Sequence, residues 1–168
     1  MQAPGVSVRR LGRPGDLGWV VMAHGEVYAE QLGWDTTFES LVAGITADFA
    51  RTADDSGQAG WVAEARGERV GCILCVRGDQ PGVAQLRLLL VTPDGRGLGV
   101  GTLLVGTCVE FARTSGYEAL TLWTNDVLVS ARRLYERAGF VKVDEKQHHS
   151  FGHDLVAQTW TLDLGGPT

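Results

Sequence analysis

The segment LRLLLVTPDGRGLGVGTLLVGTCVEF concentrates the residue types that bind phosphate. An apolar run ending in Leu89, Leu90 and Val91 enters a turn at Pro93 and Gly95. It then passes through Gly97, Gly99 and Gly101 and continues from Thr102 as an apolar stretch at helical spacing. A strand that turns into a helix through glycines aims unpaired backbone N–H groups and the positive end of the helix dipole at one point, which suits a bound phosphate. Side chains at the glycine positions would hold the phosphate away from the backbone. Two other phosphate loops are excluded by spacing. No Gly-Lys-Ser/Thr follows, as a Walker loop requires, and no acidic residue on a second strand follows about 20 residues on, as a dinucleotide fingerprint requires. The spacing that remains is RxxGxG, read as Arg96-Gly97-Leu98-Gly99-Val100-Gly101.

Two other clusters invite metal or redox chemistry. Cys72 and Cys75 form a CxxC, but the run VGCILCVR reads as a strand, where residues three apart point to opposite faces and cannot share a metal or a disulfide. With Cys108 on a helix, the three cysteines are expected as plain buried thiols. The run His148-His149-Ser150-Phe151-Gly152-His153-Asp154 is rich in imidazole. His148 and His149 on a strand would face opposite ways, so a loop lining a pocket is expected rather than a zinc site, and no metal is expected.

These residues need a scaffold, and the apolar periodicity supplies its outline. SVRRL, about Ser7 to Leu11, predicts an edge strand ended by Gly12 and Pro14. Asp16 is expected to cap a helix to about Leu32. Thr36 or Thr37 is expected to cap a second, with Phe38, Leu41, Ile45 and Phe49 at helical spacing. GWVAEARGERVGCILCVRG predicts a hairpin turning at Arg66 to Arg69, and Ala84 to Val91 a central strand. A helix follows from about Thr102 to Thr114, and then a buried strand, Ala119 to Trp123. Ala131, Leu134, Tyr135 and Ala138 mark a helix closed by Gly139, and Phe140 to Lys146 and Val156 to Leu164 complete the sheet. The strand, helix and strand from Ala84 to Trp123 are expected to make a right-handed parallel crossover, with the glycine loop at the carboxyl end of its strand.

At 168 residues the chain is expected to form one domain, residues 1–168, that buries about two-thirds of its unfolded surface. A hydrophobic fraction of 44% and a charged fraction of 21% place it among soluble globular proteins. A net charge of -5 and a pI near 5.3 argue against a nucleic-acid surface and lean toward a small amine ligand. No apolar run approaches the roughly 20 residues of a membrane span, and MQAPGVSVRR lacks the apolar core of a secretory signal, so a cytoplasmic protein is expected.

The glycine loop after a Leu-rich strand, together with ARRLYERAGF from Ala131 to Phe140, resembles the two signatures of the GNAT N-acetyltransferase family, with Tyr135 at the family's tyrosine position. The likeness runs over nearly the whole chain, since the element order matches from Val6 to Leu164. Trp123-Thr124-Asn125-Asp126 and His148 to Asp154 also look like the acetyltransferase half of fusions to MarR-type regulators, without a DNA-binding half here. The resemblance implies an α/β fold with a mixed, mostly antiparallel sheet, one splayed parallel strand pair and about four flanking helices. It implies acetyl-CoA as cosubstrate, held by main-chain groups of Leu89, Leu90 and Val91 and by Arg96, Gly97, Leu98, Gly99, Val100, Gly101 and Thr102. It also implies direct attack by a primary amine of a small molecule or peptide through a tetrahedral oxyanion. An N–H near Leu89 or Leu90 would face that oxyanion, and Tyr135 would protonate the departing thiolate. As a plain alternative, Tyr135 is a core-edge residue on its helix.

One departure from the family stands out. An asparagine often lies seven residues before the tyrosine and holds the cofactor, but that position here is Leu128; Asn125 is the candidate replacement. Arg132 and Arg133 open the next helix, and Arg132 is taken as a phosphate ligand. The acceptor is expected between the first two helices and the segment joining the last strands, against His24, Glu26, Tyr28, Trp34 and Asp35 from one side and His149, Phe151 and His153 from the other, with carboxylates and rings around a small amine. The general base has no assignment among Glu26, His24, Asp35 and a bound water. Rival readings are another acyl-CoA donor and a regulatory module that senses coenzyme A without turnover. A homodimer is a further expectation, since small domains of this fold often pair.

Overall fold

The computed structural model describes residues 5–165. The ends of the expected single domain, residues 1–4 and 166–168, lie outside the described residues, as does the start of the segment read for a secretory signal. The elements run β1 (Val6–Arg10), α1 (Asp16–Leu32), α2 (Thr36–Arg51), β2 (Ala59–Ala65), β3 (Glu68–Arg77), β4 (Val83–Val91), a 3-10 turn (Pro93–Gly95), α3 (Val100–Thr114), β5 (Ala119–Asn125), α4 (Val129–Ala138), β6 (Val141–Ser150) and β7 (His153–Asp163). The expected order is the observed one.

The strands form a 7-stranded sheet in the order β1-β2-β3-β4-β5-β7-β6. Every neighbouring pair is antiparallel except β4 and β5. Alternation along the strands builds two cores. Ile73 and Cys75 of β3 face the side packed by Val100, Leu104, Val105 and Cys108 of α3, whereas Cys72 faces the side packed by Val20 and Ala23 of α1 and Val42 of α2. Cys72 and Cys75 therefore point to opposite faces, and all three cysteines are free and buried.

The parallel pair opens after four residues. Val83 to Leu86 pair with Ala119 to Leu122, and there the ladder ends, although β4 continues to Val91 and β5 to Asn125. The cause is a bulge in β4. Leu90 is opposite Cys72 and Arg87 is opposite Leu74, so Leu88 and Leu89 share the single residue Ile73 as their counterpart. Leu88 takes φ 55, which bends the strand away from β5.

Three local expectations are corrected. Asp16 is the first residue of α1 rather than its cap. Gly15 holds the cap position with φ 91, and the buried Asp16 carboxylate accepts from the Gly12 and Arg13 N–H groups at 2.9 and 2.8 Å. Asp35, not Thr36 or Thr37, caps α2, accepting from the Thr37 N–H at 3.0 Å. The His148 to Asp154 run is mostly strand, since β6 and β7 meet in a two-residue turn at Phe151 (φ 58) and Gly152 (φ 85). Positive φ at both turn residues matches the twist of the flanking strands.

Candidate active site

The glycine loop folds because each part takes a conformation that its residue allows. Gly97 (φ 76) and Gly99 (φ 75) occupy the left-handed region, and Gly99 stands at the cap of α3 with no side chain capping the helix. The first N–H groups of α3 are thus left for an external acceptor. Gly101 answers a different need: a Cβ there would stand 2.6 Å from Leu134 Cδ1, so this glycine lets α4 pack against α3.

Above the loop lies a cavity of about 490 Å³ lined by Leu89, Leu90, Val91, Arg96, Gly97, Gly99, Val100, Gly101 and Thr102. The structure brings together nine of the residues expected to hold a cofactor. Three others lie elsewhere. Leu98 packs against the core on the α3 side of the sheet. Arg132 does not line this cavity; its Nη1 donates to the Asp126 carbonyl at 3.0 Å. Asn125 is 3% exposed and lines a second cavity, where its Oδ1 accepts from His148 Nε2 at 2.8 Å. The cations that do line the first cavity from α4 are Arg133 and Arg137, beside Ser130 and Leu134. Residues 130, 133, 134 and 137 follow helical spacing and so share one face, which is the signal that separates Arg133 from Arg132.

The second cavity, about 410 Å³, lies across the splayed strands. Tyr28, Leu89, Leu128 and Ala131 line both cavities, so the two meet where β4 leaves β5. Tyr135 lines the second cavity and is 5% exposed. Burial, chiefly, raises the phenol above its ordinary value, so it is protonated throughout the neutral range.

Of the expected acceptor residues, His24, Tyr28, Trp34 and Phe151 line this cavity; Glu26, Asp35, His149 and His153 do not. Glu26 is exposed on the outer face of α1. His149 is an exposed partner of Asp154 at 2.8 Å, and His153 Nε2–H donates to the Gly33 carbonyl at 3.1 Å. Both imidazoles are hydrogen-bonded at the β6–β7 turn and line neither cavity. The turn brings in Phe151, whose carbonyl accepts from the Asp35 N–H at 3.2 Å and whose ring meets Trp34 at 4.8 Å and Phe38 at 5.0 Å. Tyr28 stacks on Trp34 at 5.2 Å, and burial pushes its phenol up to about 12.

His24 Nδ1–H donates to the Val20 carbonyl at 2.7 Å, leaving the buried Nε2 without a partner. Burial lowers this imidazole to about 4, so it is neutral at physiological pH. Among the described residues no carboxylate lines the second cavity, contrary to the expectation of an acidic amine pocket, and its single charged side chain is Arg87. The signal for Arg87 was present in QLRLLLV, a cation inside an otherwise apolar central strand.

Comparisons with known proteins follow this geometry. Residues 22–140 match the model of the acetyltransferase (GNAT) family. An uncharacterized N-acetyltransferase of Schizosaccharomyces pombe is 29% identical over 150 residues, covering 89% of this chain and 91% of the yeast protein. N-acetyltransferase 8 of Rattus norvegicus is 38% identical over 114 residues, 66% of this chain and 48% of the rat protein. The chain thus spans nearly all of the yeast relative but about half of the rat one. Among solved structures, the phosphinothricin acetyltransferase of Sinorhizobium meliloti in complex with AcCoA shares the fold with TM-score 0.77 at 18% identity, covering 96% of this chain and 89% of that one.

Proposed function

The chain belongs to the acetyltransferase (GNAT) family, and from that premise we propose that it transfers an acetyl group from acetyl-CoA to a primary amine of a small molecule or peptide by direct attack. The observation that carries this reading is the meeting of the two cavities at Leu89, one walled by the glycine loop and the other by Tyr135. The uncapped N-terminus of α3, with Arg96, Arg133 and Arg137 around it, suits a pyrophosphate. Between the strands, Leu88 and Leu89 are displaced from the β3 ladder and the β5 ladder has ended, so main-chain groups at the bulge are available to a ligand. An N–H at Leu89 facing the acetyl oxygen would stabilise the tetrahedral oxyanion, a contribution typically worth about 100-fold or more in rate.

Tyr135 supplies the proton. As the thioester carbon–sulfur bond breaks, the sulfur takes the bonding pair and accepts the phenolic proton, and the phenolate is reprotonated from solvent or from the departing ammonium proton. The raised proton affinity of the buried phenol keeps the donor loaded. His24, held neutral, forms part of the wall between Tyr28 and Phe38. The two stretches that resemble MarR-fused acetyltransferases touch one another beside this cavity, Trp123 meeting His148 at 5.6 Å between ring centres.

We place the enzyme in the cytoplasm, since three free cysteines suit a reducing compartment. No helix among the described residues is long and apolar enough to cross a membrane. Support for a homodimer comes from the outer strand β6, where Val141 and Val143 are 62% and 58% exposed; light scattering on the purified chain tests it. The function is tested by thermal melting with acetyl-CoA and by a thiol-release screen of amines. A bound cosubstrate at 100 times its dissociation constant should add about 2.7 kcal/mol, and no shift at millimolar acetyl-CoA would overturn the cosubstrate assignment.

A further inference from the structure

Among the described residues, those lining the second cavity include one cation and no anion to neutralise it. Arg87 lines the cavity half-buried on β4, and among the described residues no side chain or carbonyl hydrogen-bonds its guanidinium. It appears in none of the ion pairs, whereas Arg9, Arg69 and Arg77 are each matched to an aspartate within 3 Å. Burial lowers its proton affinity, with Asp48 and Asp79 opposing this without making contact. A guanidinium remains charged under such pressure, because its reference value lies above 12. A charge held partly out of water without a counterion is costly, and the cost is removed when a bound ligand brings the anion.

Much of the remaining wall is aromatic. Tyr28, Trp34, Phe38 and Phe151 meet ring to ring at 4.8 to 5.2 Å. Phe151 reaches that cluster from the β6–β7 turn and lines the cavity. Along β4, Arg87 lies just before the bulge at Leu88 and Leu89. Leu89 marks the mouth of the cosubstrate cavity. Arg87 and Leu89 line the same cavity, so a ligand there can meet the guanidinium while its amine lies beside the mouth at Leu89.

We propose that the acceptor is an α-amino acid, or a small molecule of the same pattern, whose carboxylate pairs with Arg87 and whose apolar side chain lies among Tyr28, Trp34, Phe38 and Phe151. This inference rests on the acetyl-transfer reading for its reaction but on the cavity alone for its ligand. The planar fork of Arg87 matches a carboxylate in two parallel hydrogen bonds. With the carboxylate so held and the side chain in the apolar wall, the amine is directed toward Leu89 and the thioester.

The test separates binding from transfer. L-phenylalanine, L-leucine and L-methionine, and their primary amides, are titrated calorimetrically into the protein saturated with coenzyme A, which cannot donate an acetyl group. The acids should bind at least about tenfold more tightly than the amides, as expected for a hydrogen-bonded charge pair. Arg87→Gln should abolish that difference and Arg87→Lys restore part of it, while both variants keep the wild-type melting shift with acetyl-CoA. Acids that bind no more tightly than amides, or an Arg87→Gln protein that still prefers acids, would overturn the proposal. A thiol-release assay of the same compounds with acetyl-CoA completes it. Amides acetylated as efficiently as acids would overturn the ligand class and leave the acetyltransferase standing. Acids that bind through Arg87 but are never acetylated would support the ligand class and remove the reaction.

Discussion

His148 Nε2–H donates to Asn125 Oδ1 across 2.8 Å, and His148 Nδ1 accepts from the Ser150 hydroxyl at 2.9 Å. The bond ties the end of β5 to β6 and turns the Asn125 amide into the second cavity, away from the glycine loop. Asn125→Ala should therefore leave the acetyl-CoA melting shift unchanged and lower kcat/KM for the acceptor, by about tenfold. The loss of a partner for His148 should cost about 1 to 3 kcal/mol of stability. A melting shift that vanishes in this variant would return Asn125 to the cosubstrate site.

Tyr135→Phe removes the proton donor and keeps the ring that packs on Phe140 at 5.7 Å. Turnover should fall by about 100-fold or more with acetyl-CoA affinity intact. Because burial raises the phenol above its usual value, wild-type kcat should show no basic limb attributable to this tyrosine below about pH 10. A variant as fast as wild type would make Tyr135 a packing residue.

The two neighbouring arginines of α4 should behave differently. Arg133→Ala removes a cation from the first cavity and should weaken acetyl-CoA binding by about tenfold at low salt, less so as salt rises. Arg132→Ala removes a donor to the Asp126 carbonyl and should leave that affinity unchanged. Calorimetric titrations at two ionic strengths distinguish the pair, and equal losses would contradict the assignment by helix face.

Asp16 is the structural counterpart of these functional charges. Its fully buried carboxylate accepts from Arg9 Nη1 and Nη2 at 2.8 and 2.9 Å and from Arg69 Nε at 2.9 Å. The Arg9 hydrogen bonds, first of all, hold it far below the usual carboxylate range. Asp16→Ala, which leaves Arg69 without its anion and Arg9 with Glu64 alone, should cost about 3 to 5 kcal/mol. A depressed folded-state value means stability that is present above the unfolded value, near 3.9, and lost as pH falls below it. The wild type should therefore lose stability steeply below about pH 4, and the variant less steeply, in urea unfolding series.

Much of this protein was readable along the chain, because its signals are local. A glycine that must take a positive φ, an apolar period of two or of 3.6, and a tyrosine on the inner face of a short helix each depend on residues within a few positions. These determined the element order, the parallel crossover, the glycine loop and the short helix that carries Tyr135. What only the tertiary structure decided are relations between distant segments. Asn125 faces His148 because β5 and β6 both pair with β7. The bulge at Leu88 and Leu89 arises from the register against β3. Phe151 reaches Trp34 because the β6–β7 turn docks on the start of α2. Likewise, Glu26, His149 and His153 carry suitable chemistry but do not line the second cavity. Among the described residues Arg87 is the charged side chain that lines the second cavity.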